Sequence, residues 1–171
     1  MSLTFIQIQK ENKKDCETFA KLMRPYAAEL DARSGKSMSP EAVAKWTNGI
    51  IEITSERNRH LELCYHGDTP VGFLYGAKDY AVNYPEHTGR LKQPGYGFVL
   101  VYFVLPEQRR RGYGREMFLR LEGIFKKEGA TMIYLTTDTP AGIPFWQAMG
   151  FCATGERSAD NGIEIYEKQV K

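Results

Sequence analysis

Cysteine is scarce in this chain, long hydrophobic runs are absent, and neither sign of charge dominates. Only Cys16, Cys64 and Cys152 stand among 171 residues. None falls in a Cys-x-x-Cys or other metal-ligand spacing, and an odd count leaves one outside any set of internal disulfides. Three reduced thiols in a reducing compartment are expected. No apolar stretch approaches membrane-spanning length and no secretory signal pattern opens the sequence, so a cytosolic protein without a membrane partner is expected. A net charge of +2 does not build the basic surface that nucleic acids require, and no nucleic-acid partner is expected. His60 and His66 have no third ligand nearby, so no metal site is expected. A Gly-x-Ser-x-Gly nucleophile elbow is missing as well. With 42% hydrophobic and 26% charged residues, the composition is that of an ordered chain, and its length suits a single domain over 1–171.

What is present concentrates between residues 98 and 129. The apolar run 98–105 reads as a buried strand. Pro106, Glu107 and Gln108 follow, then Arg109, Arg110, Arg111, Gly112, Tyr113, Gly114 and Arg115. Met117, Phe118, Leu121, Ile124 and Phe125 next trace one helical face, with Lys126 and Lys127 in the last turn and Gly129 at the stop position. This is a strand, a glycine turn and a helix start. Such a helix end exposes unpaired N–H groups and a partial positive charge, both suited to a phosphate. Glycines let a pyrophosphate approach the backbone. A Walker A loop is excluded because no Gly-Lys-Ser/Thr follows the glycines. A dinucleotide fingerprint is excluded because Met117 stands at the third glycine. The pattern Arg/Gln-x-x-Gly-x-Gly/Ala fits from Arg109 to Gly114.

Here the chain resembles the GNAT N-acetyltransferase superfamily, and a second stretch carries the same resemblance. After the β-prone segment 131–136, Thr139, Pro140, the aromatic pair Phe145 and Trp146, a three-residue spacer and Gly150-Phe151 match the superfamily's second signature. The resemblance is firm over roughly 96–168. It implies an α/β (α+β) fold with a mixed, mostly antiparallel central sheet flanked by helices, and a V-shaped splay between the two central strands. It implies acetyl-CoA as co-substrate and transfer of its acetyl group directly to a primary amine of a small molecule or peptide. The alternative is a non-catalytic acyl-CoA-binding regulatory module. It places the pantetheine arm on the backbone of Phe103, Val104 and Leu105, with Val104 N–H as an oxyanion contact. The pyrophosphate falls to Arg109, Arg110, Arg111, Gly112, Tyr113, Gly114 and Arg115, with Thr139 and Phe145 also at the coenzyme. A homodimer is a further implication.

The sequence departs from that pattern at the acid–base positions. Trp146 stands where members often carry tyrosine, and an indole N–H donates a hydrogen bond but does not replace a phenol as proton donor. Thr139 stands where asparagine is common. The strand 97–105 contains no acid to serve as a base. Glu62, Asp79, Tyr102 and Asp138 are the remaining candidates, with His87 in a long polar connection, and Tyr80, Tyr84, Tyr96 and Tyr102 are candidates for an aromatic acceptor pocket. Pro144 requires the last helix to begin late or irregularly.

The first half carries weaker signals. Residues 4–9 alternate as a strand. Asp15 reads as an N-cap for a helix over Phe19, Leu22, Met23 and Tyr26 that Pro25 should kink or shorten. Ser39-Pro40 opens a second helix with Val43, Trp46 and Ile50 on its apolar face. Residues 60–78 read as a hairpin turning at 66–70. Residues 79–95 form the long connection, Gly150 suits the last helix's C-cap with Phe151 starting the next strand, and a final strand lies at 162–168. Cys152 is expected to be a small buried residue.

Overall fold

A computed structural model describes residues 2–54, 59–80, 94–159 and 161–170. Its strands are β1 (Thr4–Gln7), β2 (Arg59–His66), β3 (Thr69–Lys78), β4 (Tyr96–Val104), β5 (Met132–Thr136), β6 (Cys152–Arg157) and β7 (Glu164–Gln169). Its helices are α1 (Lys13–Ser34), α2 (Pro40–Ile53), α3 (Tyr113–Lys127) and α4 (Gly142–Ala148), with a 3-10 turn at Pro106–Gln108. The seven strands form one mixed sheet in the order β1-β2-β3-β4-β5-β7-β6. It is mostly antiparallel and flanked by helices, as the resemblance implied.

The chain divides into two compact units, each discontinuous in sequence. The first holds Met1–Tyr75 and Val101–Met117, the second Gly76–Leu100 and Phe118–Lys171. In the first unit, Phe19 meets Phe73 edge-on at 5.0 Å, and Tyr26 packs on Phe73 and Phe103 at 5.8 and 5.6 Å. Gly72 is required here, because a Cβ on it would run into the Phe103 carbonyl. In the second unit, Phe118 contacts Trp146 and Phe151 at 5.6 and 5.4 Å. Met117, Phe118, Leu121 and Phe125 of the expected helix face are all buried.

Several boundaries differ from the sequence reading. The N-cap of α1 is Asn12, whose side chain accepts the Asp15 N–H, so Asp15 lies in the first turn. Both residue types cap well, and the sequence offered two within three positions. Helix α1 runs through Pro25 to Ser34. A proline removes one hydrogen bond, and the buried face of Phe19, Leu22, Met23 and Ala27 outweighs that loss. Ser39 caps α2 with Pro40 in its first turn, as expected. Two strands follow α4 and form an antiparallel pair, β6 beginning one residue after the expected start at Phe151 and β7 overlapping the expected final strand over 164–168. Cys152 is exposed, not buried; it lies on β6 at the end of the sheet order. Residues 81–93, with Tyr84 and His87, lie outside the described residues.

The pairing of β4 with β5 is parallel and short. It covers Tyr96↔Met132, Gly97↔Ile133 and Phe98↔Tyr134. Both strands continue beyond the last rung, β4 to Val104 and β5 to Thr136. This is the expected splay.

Candidate active site

In the first unit the end of β4, the 3-10 turn and the start of α3 bring Phe103, Val104, Leu105 and residues 109–115 together. Leu105 N–H donates to the Val71 carbonyl at 2.9 Å, and Leu105 C=O accepts from Gln108 N–H at 2.8 Å. Successive backbone groups along a strand point to opposite edges. Val104 therefore presents its N–H and C=O on the edge away from Val71.

The turn itself is bent by two residues in left-handed backbone. Arg110 has φ 61° and Gly112 φ 86°. For arginine this region is sparsely populated and costs on the order of 1–2 kcal/mol. Alternating left- and right-handed residues aim consecutive N–H groups into one concavity, a nest suited to anions. Helix α3 begins at Tyr113, and its first turn closes when Glu116 N–H donates to Gly112 C=O at 3.1 Å. The N–H groups of Tyr113, Gly114 and Arg115 thus have no intrahelical acceptor. A Cβ on Gly112 would meet nothing within 4 Å, so this glycine answers to its backbone angle and to open space before it. A pyrophosphate fits that open, donor-rich turn.

The arginines divide their work. Arg109 Nε donates to Val104 C=O at 2.9 Å, and its Nη2 pairs with Glu29 Oε1 at 2.6 Å. Its guanidinium also lies 5.6 Å from the Phe103 ring centroid. The Arg109 side chain therefore braces the end of β4 against α1, and its part in the turn is through the backbone. Arg110, Arg111 and Arg115 are exposed. Glu116, the acid in the first turn of α3, is turned to Leu3 N–H at 2.6 Å. Tyr113 is buried beside His66, with rings 5.3 Å apart.

The second unit holds Thr139, Phe145 and Trp146. Helix α4 begins at Gly142, two residues before Pro144, which is the late start the proline demands. Thr139 Oγ1 accepts the Gly142 N–H at 2.7 Å, and Thr139 C=O accepts Ile143 N–H at 3.0 Å. Thr139 thus caps α4 in place of a side chain at Ala141. Trp146 is buried among Phe145, Phe118 and Phe151, at 4.8, 5.6 and 5.4 Å, all edge-on. Its ring is a packing element of the second unit's core.

The base candidates are divided between the units, Glu62 and Tyr102 in the first and Asp79 and Asp138 in the second. Asp79 accepts from Gly95 N–H at 2.6 Å and pairs with Lys78 at 2.7 Å. The Tyr102 hydroxyl donates to Gly114 C=O in the first turn of α3. Glu62 is buried on β2, and Asp138 is exposed. Among the described residues no group of three or more His, Cys, Asp or Glu is placed to hold a metal ion, and no helix is long and apolar enough to cross a membrane. The sequence reading missed Glu29, which sits 80 positions from Arg109 and carries no motif.

The profile of the acetyltransferase (GNAT) family matches residues 18–151. No curated protein is significantly similar in sequence. Among solved structures, the chain is similar to the PaiA N-acetyltransferase of Thermoplasma acidophilum in complex with coenzyme A, at 19% identity and TM-score 0.69, covering 99% of each chain. An acetyltransferase from Thermus thermophilus is similar at 17% identity and TM-score 0.73, over 99% of this chain and 97% of that one. Aminoglycoside 6′-acetyltransferase type Ii follows at 16% and 0.68, over 98% and 97%. The chain belongs to the GNAT acetyltransferase family and is an acetyl-CoA-dependent acetyltransferase.

Proposed function

We propose that this enzyme transfers the acetyl group of acetyl-CoA directly to a primary amine of a small molecule or peptide. The observation that carries the coenzyme half is the turn at 109–115, with Arg110 and Gly112 in left-handed backbone and the helix N–H groups behind them. In this reading the backbone N–H groups of Arg109, Arg110, Arg111, Gly112, Tyr113, Gly114 and Arg115 hold the pyrophosphate, and exposed guanidinium groups add charge. The backbone of Phe103, Val104 and Leu105 holds the pantetheine arm. Thr139 and Phe145 are assigned to the coenzyme as the resemblance implies. The proposed domain is 1–171 as a whole, since the family match takes in segments of both units.

Acetyl-CoA supplies an activated thioester. The acceptor attacks as the neutral amine, because a protonated one has no lone pair. Val104 N–H, on the edge of β4 away from Val71, donates to the oxygen on which charge develops. Positioning and this donor supply the rate without a covalent enzyme intermediate. The acceptor sheds its proton to water, since β4 carries no acid and the Asp79 carboxylate is engaged by Lys78 and Gly95. Trp146 fills the usual tyrosine position by packing. The three free thiols support a reducing, cytosolic setting, and the edge strand β6 leaves a rim for a homodimer.

Thiol release from acetyl-CoA, measured against a panel of amines, tests this reading. Release that depends on the acceptor, with an N-acetylated product by mass, is expected. Bound acetyl-CoA with no release from any amine contradicts it.

A further inference from the structure

Within the first unit, three contacts hold the first turn of α3. Glu116 reaches back to Leu3 N–H at 2.6 Å. The buried ring of Tyr113 lies beside His66, with centroids 5.3 Å apart. Tyr102, half-buried on β4, donates its hydroxyl to Gly114 C=O. The first two contacts engage side chains of the turn. The third falls on its backbone, and helix formation does not account for it. Gly114 is the second residue of α3, so its carbonyl already has a partner in the N–H four residues on. The hydroxyl uses the second lone pair of a carbonyl that was satisfied without it. Phenylalanine at 102 would keep the ring beside the helix and leave no group unpaired.

The peptide that this bond touches says what it does. Gly114 C=O and Arg115 N–H belong to one planar, resonance-coupled amide. A donor on the oxygen draws electron density away from the nitrogen and makes its N–H a stronger donor in turn. Hydrogen bonds linked in this way strengthen one another by roughly 10–30%. Arg115 N–H is among the groups at the head of α3 that have no intrahelical acceptor. The same bond ties the head of α3 to β4 two residues before Val104, so it also sets where that N–H stands relative to the end of the strand.

We propose that Tyr102 is a positioning residue of the coenzyme site: through Gly114 C=O it orients and polarises the Arg115 N–H that donates to the pyrophosphate. The inference rests on the placing of the pyrophosphate in the turn at 109–115. Tyr102 itself touches neither the coenzyme nor the reacting atoms. Its proton stays on the phenol, committed to the Gly114 carbonyl, so it is not the base for the acceptor amine.

The test is titration of wild type and Tyr102→Phe with coenzyme A and with pantetheine, which lacks the pyrophosphate, beside melting curves of both proteins. In Tyr102→Phe the Kd for coenzyme A should rise about three- to tenfold, the range of one lost hydrogen bond, while that for pantetheine changes by less than about twofold. A merely structural role would weaken both ligands alike. An unchanged Kd for coenzyme A, or equal losses for the two ligands, overturns the inference and leaves the turn's assignment standing. A wild type that binds coenzyme A no more tightly than pantetheine overturns that assignment, and the inference with it. Should Tyr102→Phe not fold, Tyr102→Leu removes the same hydroxyl. A loss confined to coenzyme A is again expected, and a loss shared by pantetheine or absent from both contradicts the inference.

Discussion

Trp146 and Arg109 show how a motif position and its physical task diverge. Trp146 occupies a signature position, yet three aromatic rings enclose it edge-on. Trp146→Phe should therefore keep most of the turnover, while Trp146→Ala should lose about 3–5 kcal/mol of stability to the cavity it opens. Steady-state kinetics and denaturant melts of both variants check this. Complete loss of turnover in Trp146→Phe with coenzyme binding intact would assign a role to the indole N–H. Arg109 belongs to the phosphate pattern by sequence, but its guanidinium is bonded to Val104 C=O and Glu29. A six-residue pattern predicts the backbone of a turn and is silent on where each side chain goes. The missing acid on β4 was plain in the sequence and has a kinetic consequence. If the acceptor loses its proton to water, kcat/KM for an aliphatic amine should rise about tenfold per pH unit between roughly pH 7 and 9. A plateau above about pH 6.5 would instead indicate a histidine base.

Strands and helices with strong periodicity were readable before any coordinates. The buried strand, the turn and helix α3 lie within about two residues of their expected limits, because an apolar run, glycines and the helical stripe all agree there. Helix α1 was less readable, since Pro25 argues for a break that tertiary burial of its apolar face overrides. The splay was not readable from composition. Strand β4 alternates regularly along its length, with Gly97, Val99, Val101 and Phe103 buried, and nothing in that pattern says that pairing stops at Phe98. Gly97 explains how α3 approaches the second unit's sheet, because a Cβ there would lie 2.6 Å from Phe125 Cδ2. Gly97→Ala should overpack this contact and cost about 1–3 kcal/mol, read as a lowered denaturant midpoint. An unchanged midpoint would mean that Phe125 shifts without strain.

Taken as one chain, the protein should be sensitive to alkali through its buried phenols. Burial is the main cause that pushes Tyr26 up to about 12, with the Glu29 charge adding to it and Arg33 opposing. Tyr134 is raised as well. A phenol whose folded pKa lies above its unfolded value near 10 stabilises the fold fully below about pH 10. That stabilisation falls as pH rises through 12, by about 3 kcal/mol for Tyr26. Phenolate absorbance should therefore show a late, cooperative step coincident with loss of helix signal. Phenols that all titrate near pH 10 in a folded chain would contradict the burial described. The most direct measurement is calorimetric titration with acetyl-CoA of wild type and Gly112→Glu, with melting curves of both. The turn at 109–115 predicts one coenzyme site in wild type and a loss of about tenfold or more in the variant, at a Tm lowered by only a few degrees. A folded Gly112→Glu that binds acetyl-CoA as wild type does would remove the pyrophosphate from this turn.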